Sequence, residues 1–142
     1  MARHHVLLVP GFFGFGSLGD ISYFAGIRQL LEQSFERAGV SVQITEVATL
    51  PTASIRVRAV RVREALAAIA LEGEGPIHII GHSTGGLDAR LAIAPTASLP
   101  AHAKFEAYDR VRTLVTVCCA HCGKVLQKPE EHQRGAPGGL DG

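Results

Sequence analysis

The amino-acid sequence predicts an α/β fold in which a parallel sheet lies between layers of helices. Short apolar runs alternate along the 142 residues with longer segments whose apolar residues recur at helical spacing. One run, Ile77 to Ile80, is β-branched on both faces, which is typical of a central strand covered by helices on either side. Because a helix separates each strand from the next, the strands need crossover connections and are predicted to run parallel.

The first half of the chain contains two predicted strands and one predicted helix. His4 to Val9 is a short apolar run that ends at Pro10-Gly11, so it predicts a strand. Apolar residues follow helical spacing from Tyr23 to Ala38, and Gly39 supplies a C-terminal stop, which together predict a helix. Apolar and polar residues alternate from Val40 to Val47 and predict the second strand.

The second half continues the alternation. Thr52 or Ser54 is positioned to cap a helix that Gly73 and Gly75 close. The arginines of this helix avoid its apolar stripe, which predicts a solvated face: Arg56, Arg58, Arg61 and Arg63. The remaining predicted elements are the strand Ile77–Ile80, the helix Gly86–Ala94, which Pro95 ends, and the strand Arg112–Cys118.

Residues 1–123 carry all of these periodic segments and fit one domain. From residue 124 to residue 142 the sequence loses periodicity and gains proline, glycine and charge. This segment is predicted to be a disordered or atypical tail, because it holds too little apolar surface to offset the entropy of ordering.

Composition and charge disfavour several classes of function. The formal net charge is +1, so no concentrated basic face favours nucleic acid or an anionic membrane. No segment reaches the ~20 apolar residues of a membrane-spanning helix. The first residues lack the cleavage site of a signal peptide. The three cysteines, Cys118, Cys119 and Cys122, lie too close together for a disulfide framework, which favours a reducing, cytoplasmic location.

The segment GHSTG places Ser83 between a predicted buried strand and a predicted helix. A GxSxG segment in this context is typical of a nucleophile elbow, a strained turn that presents the serine hydroxyl. Gly81 and Gly85 suit this turn because side chains there would collide with the adjoining strand and helix. A helix N-terminus favours an oxyanion, so the backbone N–H of Thr84 is a predicted oxyanion donor.

The loop after the first strand, VPGFFGFG, is the predicted position of a second oxyanion donor. The backbone N–H of Phe12 is expected to converge with that of Thr84 on a substrate carbonyl oxygen. Phe12, Phe13 and Phe15 also suit a hydrophobic plug over the sheet or an apolar acyl pocket. A phosphate-binding loop is disfavoured because neither glycine-rich stretch ends in the GK[ST] pattern.

Three segments together resemble the lipases and esterases of the α/β-hydrolase superfamily, of the bacterial triacylglycerol-lipase type. LLVPGFFGF is similar to the family's opening strand and oxyanion loop, with Pro10 where many members have histidine. GHSTGGLDARL is similar to its elbow and following helix, and VRTLVTV to its next strand. The resemblance covers about residues 4–123, the N-terminal part of that fold. It implies a serine hydrolase that needs no cofactor or metal and cleaves lipid or other carboxylic esters through an acyl-enzyme on Ser83.

The resemblance also implies roles for individual residues. Ser83 is the nucleophile, Phe12 and Thr84 are the oxyanion donors, and Asp88 is not the catalytic acid. The family's acid and base follow the serine in the order Asp, His, beyond the region of resemblance. The chain is therefore expected to lack them, together with the C-terminal strands that would cover the edge beside residues 112–118. That edge is a candidate for a partner chain.

Two other functions remain open. Without a base within reach, Ser83 is a weak nucleophile, and the fold would act as a non-catalytic remnant that binds an acyl ligand. His82, His121, His132 and Asp141 are poor candidates for a base or acid, because of their position or order. Cys119 and Cys122 form a CxxC pair, which suits a zinc or redox site with His132, although a second ligand pair is missing.

Overall fold

The structure, a computed structural model, describes residues 2–11, 18–48, 50, 52–100, 104–117 and 119. Its strands and helices are β1 (His4–Val9), α1 (Leu18–Arg37), β2 (Val42–Glu46), α2 (Ile55–Glu72), β3 (Ile77–His82), α3 (Thr84–Ile93) and β4 (Val111–Val117). A 3₁₀ turn leads into β4. The predicted α/β class is confirmed. The predicted tail, residues 124–142, lies outside the described residues, and that division of the chain stays a prediction.

The first residues of the three helices differ from, or are more definite than, those that apolar spacing predicts. α1 begins at Leu18 and not at Tyr23. The prediction placed the start too late because the first turn carries no regular apolar spacing. Ser54 is the N-cap of α2, since its side chain accepts a hydrogen bond from the Val57 N–H at 3.4 Å. α3 begins at Thr84, two residues before the predicted start, so it follows Ser83 directly.

All four strands run parallel in the order β2-β1-β3-β4. In the two central strands Leu7 of β1 lies opposite Ile79 of β3, and Val9 lies opposite Gly81. The carboxyl ends of parallel strands meet at one edge of a sheet. The turn after β3 and the segment after β1 are therefore neighbours, and Ser83 lies at this edge.

Helices cover both faces of the sheet. On one face, strand residues such as Leu7 and Ile79 pack with α2 and α3, through Val62, Leu66, Ile69, Ala89 and Ala92. On the other face, Val6 and Leu8 pack with α1, through Phe24, Leu31 and Phe35. Alternate residues of β1 are thus buried on opposite faces, which explains its continuous apolar run.

The prediction that the arginines of α2 form a solvated face is wrong for two of the four. Arg56 and Arg61 are exposed, but Arg58 and Arg63 are buried between α2 and α3. Arg58 forms an ion pair with Asp88, and Arg63 donates to the Ala92 carbonyl at the end of α3, at 2.9 Å. A cationic side chain at the C-terminus of a helix can donate to carbonyls that have no partner within the helix. The contact between α2 and α3 is therefore polar as well as apolar.

Among the described residues β2 and β4 are the two edge strands of the sheet. Within the described part of the chain β4 pairs only with β3, and Val115 in β4 is 44% exposed. No described strand covers the edge that the sequence marks for a partner chain, and the partner itself stays a prediction. None of the helices in the described ranges is long and apolar enough to cross a bilayer.

A histidine pair bridges the start of β1 and β3. The Nδ1 atom of His4 lies 3.0 Å from Nε2 of His78, and the two rings stack. Burial and the charge of His4 lower the pKa of His78 below its usual 6.5. Burial, followed by the charge of Arg110, likewise lowers the pKa of His5. The folded chain therefore binds protons at His78 and His5 more weakly than the unfolded chain does.

These lowered pKa values predict a pH-dependent stability. Above the unfolded pKa of 6.5 both histidines are neutral in either state, and their full contribution is present. As pH falls below that value the unfolded chain takes up more protons than the folded chain, so the free energy of unfolding decreases. This decrease continues until the pH passes below the folded pKa values. Urea unfolding followed by circular dichroism at several pH values between about 7.5 and 5 is expected to show this fall. The slope should be smaller in His78→Gln. An unfolding free energy that stays level or rises on acidification would rule out this linkage.

Candidate active site at the carboxyl end of strand β3

Ser83 occupies a strained turn between β3 and α3. Its backbone angles are φ 54° and ψ −129°, and among the described residues it alone has a positive φ without being glycine. Such a conformation costs about 1–3 kcal/mol and persists only where the surroundings impose it. The Ser83 N–H donates to the Val117 carbonyl at the end of β4, at 2.8 Å, which ties the turn to the sheet.

Gly81 and Gly85 lack side chains because the turn leaves no room for them. A Cβ atom at Gly81 would lie 2.6 Å from the Cα of Gly86. A Cβ atom at Gly85 would lie 2.2 Å from the Val9 carbonyl oxygen and 2.7 Å from that of Pro10. Since backbone atoms cannot move aside cheaply, the two glycines allow α3 to pack against the ends of β3 and β1.

Gly11 is a third glycine with no room for a side chain, and the sequence did not single it out. A Cβ atom there would lie 2.7 Å from the Ser83 Cβ and 3.0 Å from the Thr84 nitrogen. The segment after β1 therefore touches the turn itself. The Pro10-Gly11 pair after a strand is the signal that marks this position. Phe12, the predicted oxyanion donor next in the chain, lies outside the described residues.

Thr84 is the first residue of α3. The first N–H groups of a helix have no acceptor within the helix and form the positive end of its dipole. Thr84 therefore stands at the helix end that favours a negative charge beside Ser83. The Ser83 side chain does not cap this helix, so its hydroxyl is not used to satisfy the helix N-terminus.

Asp88 lies one turn further along α3 and points into the protein. It is fully buried, and its Oδ2 atom lies 2.8 Å from Nε of Arg58. Burial raises the pKa of Asp88, while the hydrogen bond from Arg58 opposes that rise. The Asp88 Oδ1 atom meets no hydrogen-bond partner among the described residues. This carboxylate is thus committed to the contact between α3 and α2.

Two cavities of the described structure lie away from the turn at Ser83. Two surface cavities of about 320 Å³ each flank α2, and neither lining includes Ser83 or Thr84. One lies beside Val57 and Leu99, and the other beside Leu71 and Phe105. The candidate site is therefore assigned from the strained turn and its chemistry, and the predicted acyl pocket falls on the phenylalanine loop outside the described residues.

The alternative metal or redox site falls mainly outside the described residues. Cys119 is described, while Cys118, Cys122 and His132 are not. The Cys119 sulfur lies beside Gly86, 2.8 Å from where a Cβ atom there would be, and burial raises the pKa of this thiol. Within the described segments no group of three or more histidine, cysteine, aspartate or glutamate residues is placed to hold a metal ion.

Part of the sequence is similar to that of a known lipase. The chain is similar to a triacylglycerol lipase of Vibrio cholerae serotype O1 (strain ATCC 39315 / El Tor Inaba N16961), with 32% identity over 84 residues. These residues are 59% of this chain and 25% of the lipase, so the chain spans about a quarter of the length of this curated relative. No protein-family model and no solved structure matches the sequence. The similarity and the parallel sheet are consistent with an α/β-hydrolase-like fragment.

The strain at Ser83 predicts how two substitutions will differ in stability. Ser83→Ala keeps the Cβ atom that disfavours a positive φ, whereas Ser83→Gly removes it. The glycine variant is therefore expected to be more stable than the alanine variant by about 1 kcal/mol. Urea unfolding of the two proteins under identical conditions measures the difference. A glycine variant no more stable than the alanine variant would mean that the turn is not strained in solution.

Proposed function

We propose that this chain carries the nucleophile of a serine hydrolase of lipase or esterase type, with Ser83 as the residue that accepts the acyl group. One observation carries the proposal: Ser83 is held at φ 54° and ψ −129° between a buried parallel strand and a helix N-terminus. Strain of this kind concentrates at functional sites, and a strand–serine turn–helix unit is the context that a GxSxG nucleophile requires.

The proposed reaction uses the Ser83 hydroxyl and the N-terminus of α3. The Ser83 oxygen attacks the ester carbonyl carbon while a base takes its proton, and the carbonyl oxygen becomes an oxyanion. The Thr84 N–H, with the Phe12 N–H as the second donor, stabilises that charge. The alcohol leaves with a proton, an acyl-enzyme remains on Ser83, and water then releases the carboxylic acid.

We assign the general base and its orienting acid to no described residue. Asp88 is unsuitable because its carboxylate is fully buried against Arg58. The resemblance places both residues after the region that is similar to lipases. A further parallel strand on the open edge of β4 would end at the same edge of the sheet as Ser83, on the far side of β4 from the turn. A partner segment at this edge is therefore the proposed source of the missing groups.

The proposed substrates are carboxylic esters with an apolar acyl group, including lipid esters. The name of the Vibrio cholerae relative, a triacylglycerol lipase, supports this class. The sequence places three phenylalanines soon after Gly11, and apolar side chains are what an acyl group requires of its pocket. Acyl length and the leaving alcohol are open within this class.

Trapping the acyl-enzyme tests this function. The purified chain is mixed with p-nitrophenyl butyrate, p-nitrophenol release is recorded, and an acid-quenched sample is analysed by intact-mass spectrometry. Because the base is assigned to no described residue, we expect slow p-nitrophenol release, at the residual level that oxyanion stabilisation and binding support, together with a butyryl adduct on the protein. Ser98→Ala, which changes an exposed serine elsewhere, is expected to behave like the wild type. A folded chain that releases no p-nitrophenol above the buffer rate would leave only the non-catalytic, acyl-binding alternative.

A further inference from the structure

α3 has little local support at its N-terminus, the end that matters for the proposed chemistry. The residue before it is the strained Ser83, whose side chain forms no capping hydrogen bond. A missing N-cap lowers helix stability by about 1 kcal/mol, and the strain at Ser83 adds to that cost. Something outside the helix therefore has to hold its first turns in place.

Besides the backbone bond from Ser83 to Val117, Arg58 and Asp88 supply such a hold. The Arg58 Nε–H donates to Asp88 Oδ2 at 2.8 Å, and the Arg58 Nη1–H donates to the carbonyl of Ala53, just before α2. One guanidinium thus joins three segments: α2, the turn that precedes it, and α3. Asp88 lies only four residues after Thr84, so this anchor acts on the part of α3 that carries the proposed oxyanion donor.

The anchor depends on a buried charge pair. Asp88 is fully buried and the Arg58 side chain is 11% exposed. The Asp88 Oδ1 atom has no hydrogen-bond partner among the described residues, so the bond from Arg58 fixes the orientation of this carboxylate. A buried pair of this kind adds little net stability over an apolar pair of similar volume, but its geometry is directional.

The far end of α3 is held separately. The Arg63 guanidinium donates to the carbonyls of Ala92 and Ala94, at 2.9 Å and 3.4 Å. Arg58 and Arg63 therefore bind α3 to α2 at two points, and only the first is near Ser83. Loss of the first point leaves α3 in place at its C-terminal end while its N-terminal turn gains freedom.

We propose that Arg58 and Asp88 are positioning residues whose buried ion pair holds the N-terminal turn of α3, and with it the Ser83 backbone and the Thr84 N–H, in register with the sheet. The catalytic part of this role rests on the proposed function of Ser83. The backbone part does not, because it concerns the order of residues 83–86 whether or not the serine reacts.

The test separates positioning from folding with the double variant Arg58→Met, Asp88→Leu. Replacing a buried ion pair by apolar residues of similar volume is often neutral for stability, so this variant is expected to fold with nearly the wild-type melting temperature. Arg58→Lys, which keeps the charge but loses the planar donor pair, is a second, milder variant. Arg61→Met, Glu64→Gln removes the exposed ion pair on the same helix and serves as the matched control.

Two measurements are made on each folded variant. The first is hydrogen–deuterium exchange of peptides containing residues 83–86, compared with peptides from β1. The second is the rate constant for phosphonylation of Ser83 by a fluorophosphonate. We expect faster exchange at residues 83–86 and a reaction about tenfold slower or more in the double variant, smaller changes in Arg58→Lys, and none in the control.

The outcomes distinguish the two proposals. Exchange and phosphonylation both at wild-type values in a folded double variant would overturn the positioning role. If wild-type Ser83 does not react at all, the proposed function fails, and exchange at residues 83–86 still decides whether the ion pair holds the turn. If the double variant fails to fold, Arg58→Lys decides the question. Faster exchange at residues 83–86 in folded Arg58→Lys would support the positioning role, and exchange at the wild-type rate would overturn it.

Discussion

Replacing Ser83 with alanine is expected to abolish ester hydrolysis and acyl-enzyme formation. Removing the attacking oxygen ends covalent catalysis, so all of the wild-type rate above the buffer rate is expected to be lost. The Cβ atom remains, so the turn keeps its conformation and its strain, and the loss reports on the hydroxyl alone. Release of p-nitrophenol by wild type and Ser83→Ala, measured at equal concentrations of folded protein, gives the ratio.

Two controls make this result specific. Circular dichroism and thermal unfolding are expected to be nearly the same for wild type and Ser83→Ala, because the substitution creates no clash and removes no described hydrogen bond of the side chain. Ser98→Ala, which changes an exposed serine, should retain the wild-type rate. Hydrolysis by Ser83→Ala at the wild-type rate would show that any esterase activity arises from another group.

Replacing Gly85 with alanine is expected to destabilise the fold severely. The new Cβ atom would lie 2.2 Å from the Val9 carbonyl oxygen, and Val9 is fully buried at the end of a central strand. Relief requires α3 or β1 to move, and overpacking of this kind costs about 3 kcal/mol or more. Because Gly85 also follows Thr84, a chain that does fold should lose reactivity at Ser83.

Gly26→Ala is the matched control for Gly85→Ala. Gly26 lies within α1, and a Cβ atom there would meet nothing within 4 Å. Alanine favours a helix over glycine by about 1 kcal/mol, so this variant should be more stable than the wild type. Urea unfolding measures both changes. A Gly85→Ala protein as stable as wild type would contradict the close packing of α3 on the end of β1.

The order of strands and helices could be predicted because each strand is short, apolar and rich in β-branched residues. The run from His4 to Val9 shows this, since it is buried on both faces. The first residues of the helices were harder to predict from the sequence. α1 starts at Leu18 and α3 at Thr84, where glycines and polar residues conceal the helical spacing.

The burial of Arg58 and Arg63 could not be predicted from the sequence. Within α2 both residues avoid the apolar stripe, so periodicity alone places them in solvent. Their partners, Asp88 and the Ala92 carbonyl, belong to a helix about thirty residues later. A buried charge depends on its partner, and the partner is known only once the two helices are packed.

The candidate site could be predicted in part. Glycines on both sides of Ser83 indicated a tight turn, and the distances at Gly81 and Gly85 explain their presence. The role of Gly11 depends on register: Val9 lies opposite Gly81, which brings Gly11 against Ser83. Strand register is a tertiary property, so the sequence alone did not connect these two positions.

The measurement that tests the nucleophile most directly is covalent labelling of the folded chain with a fluorophosphonate, followed by peptide mapping by mass spectrometry. Such a probe reacts faster with a serine whose oxyanion is stabilised than with other serines, and a base that takes the proton speeds the reaction further. The strained turn at the N-terminus of α3 predicts an adduct on Ser83 that is absent in Ser83→Ala. A folded chain with no adduct on Ser83, or with an adduct on another serine instead, would contradict the assignment of Ser83 as the nucleophile.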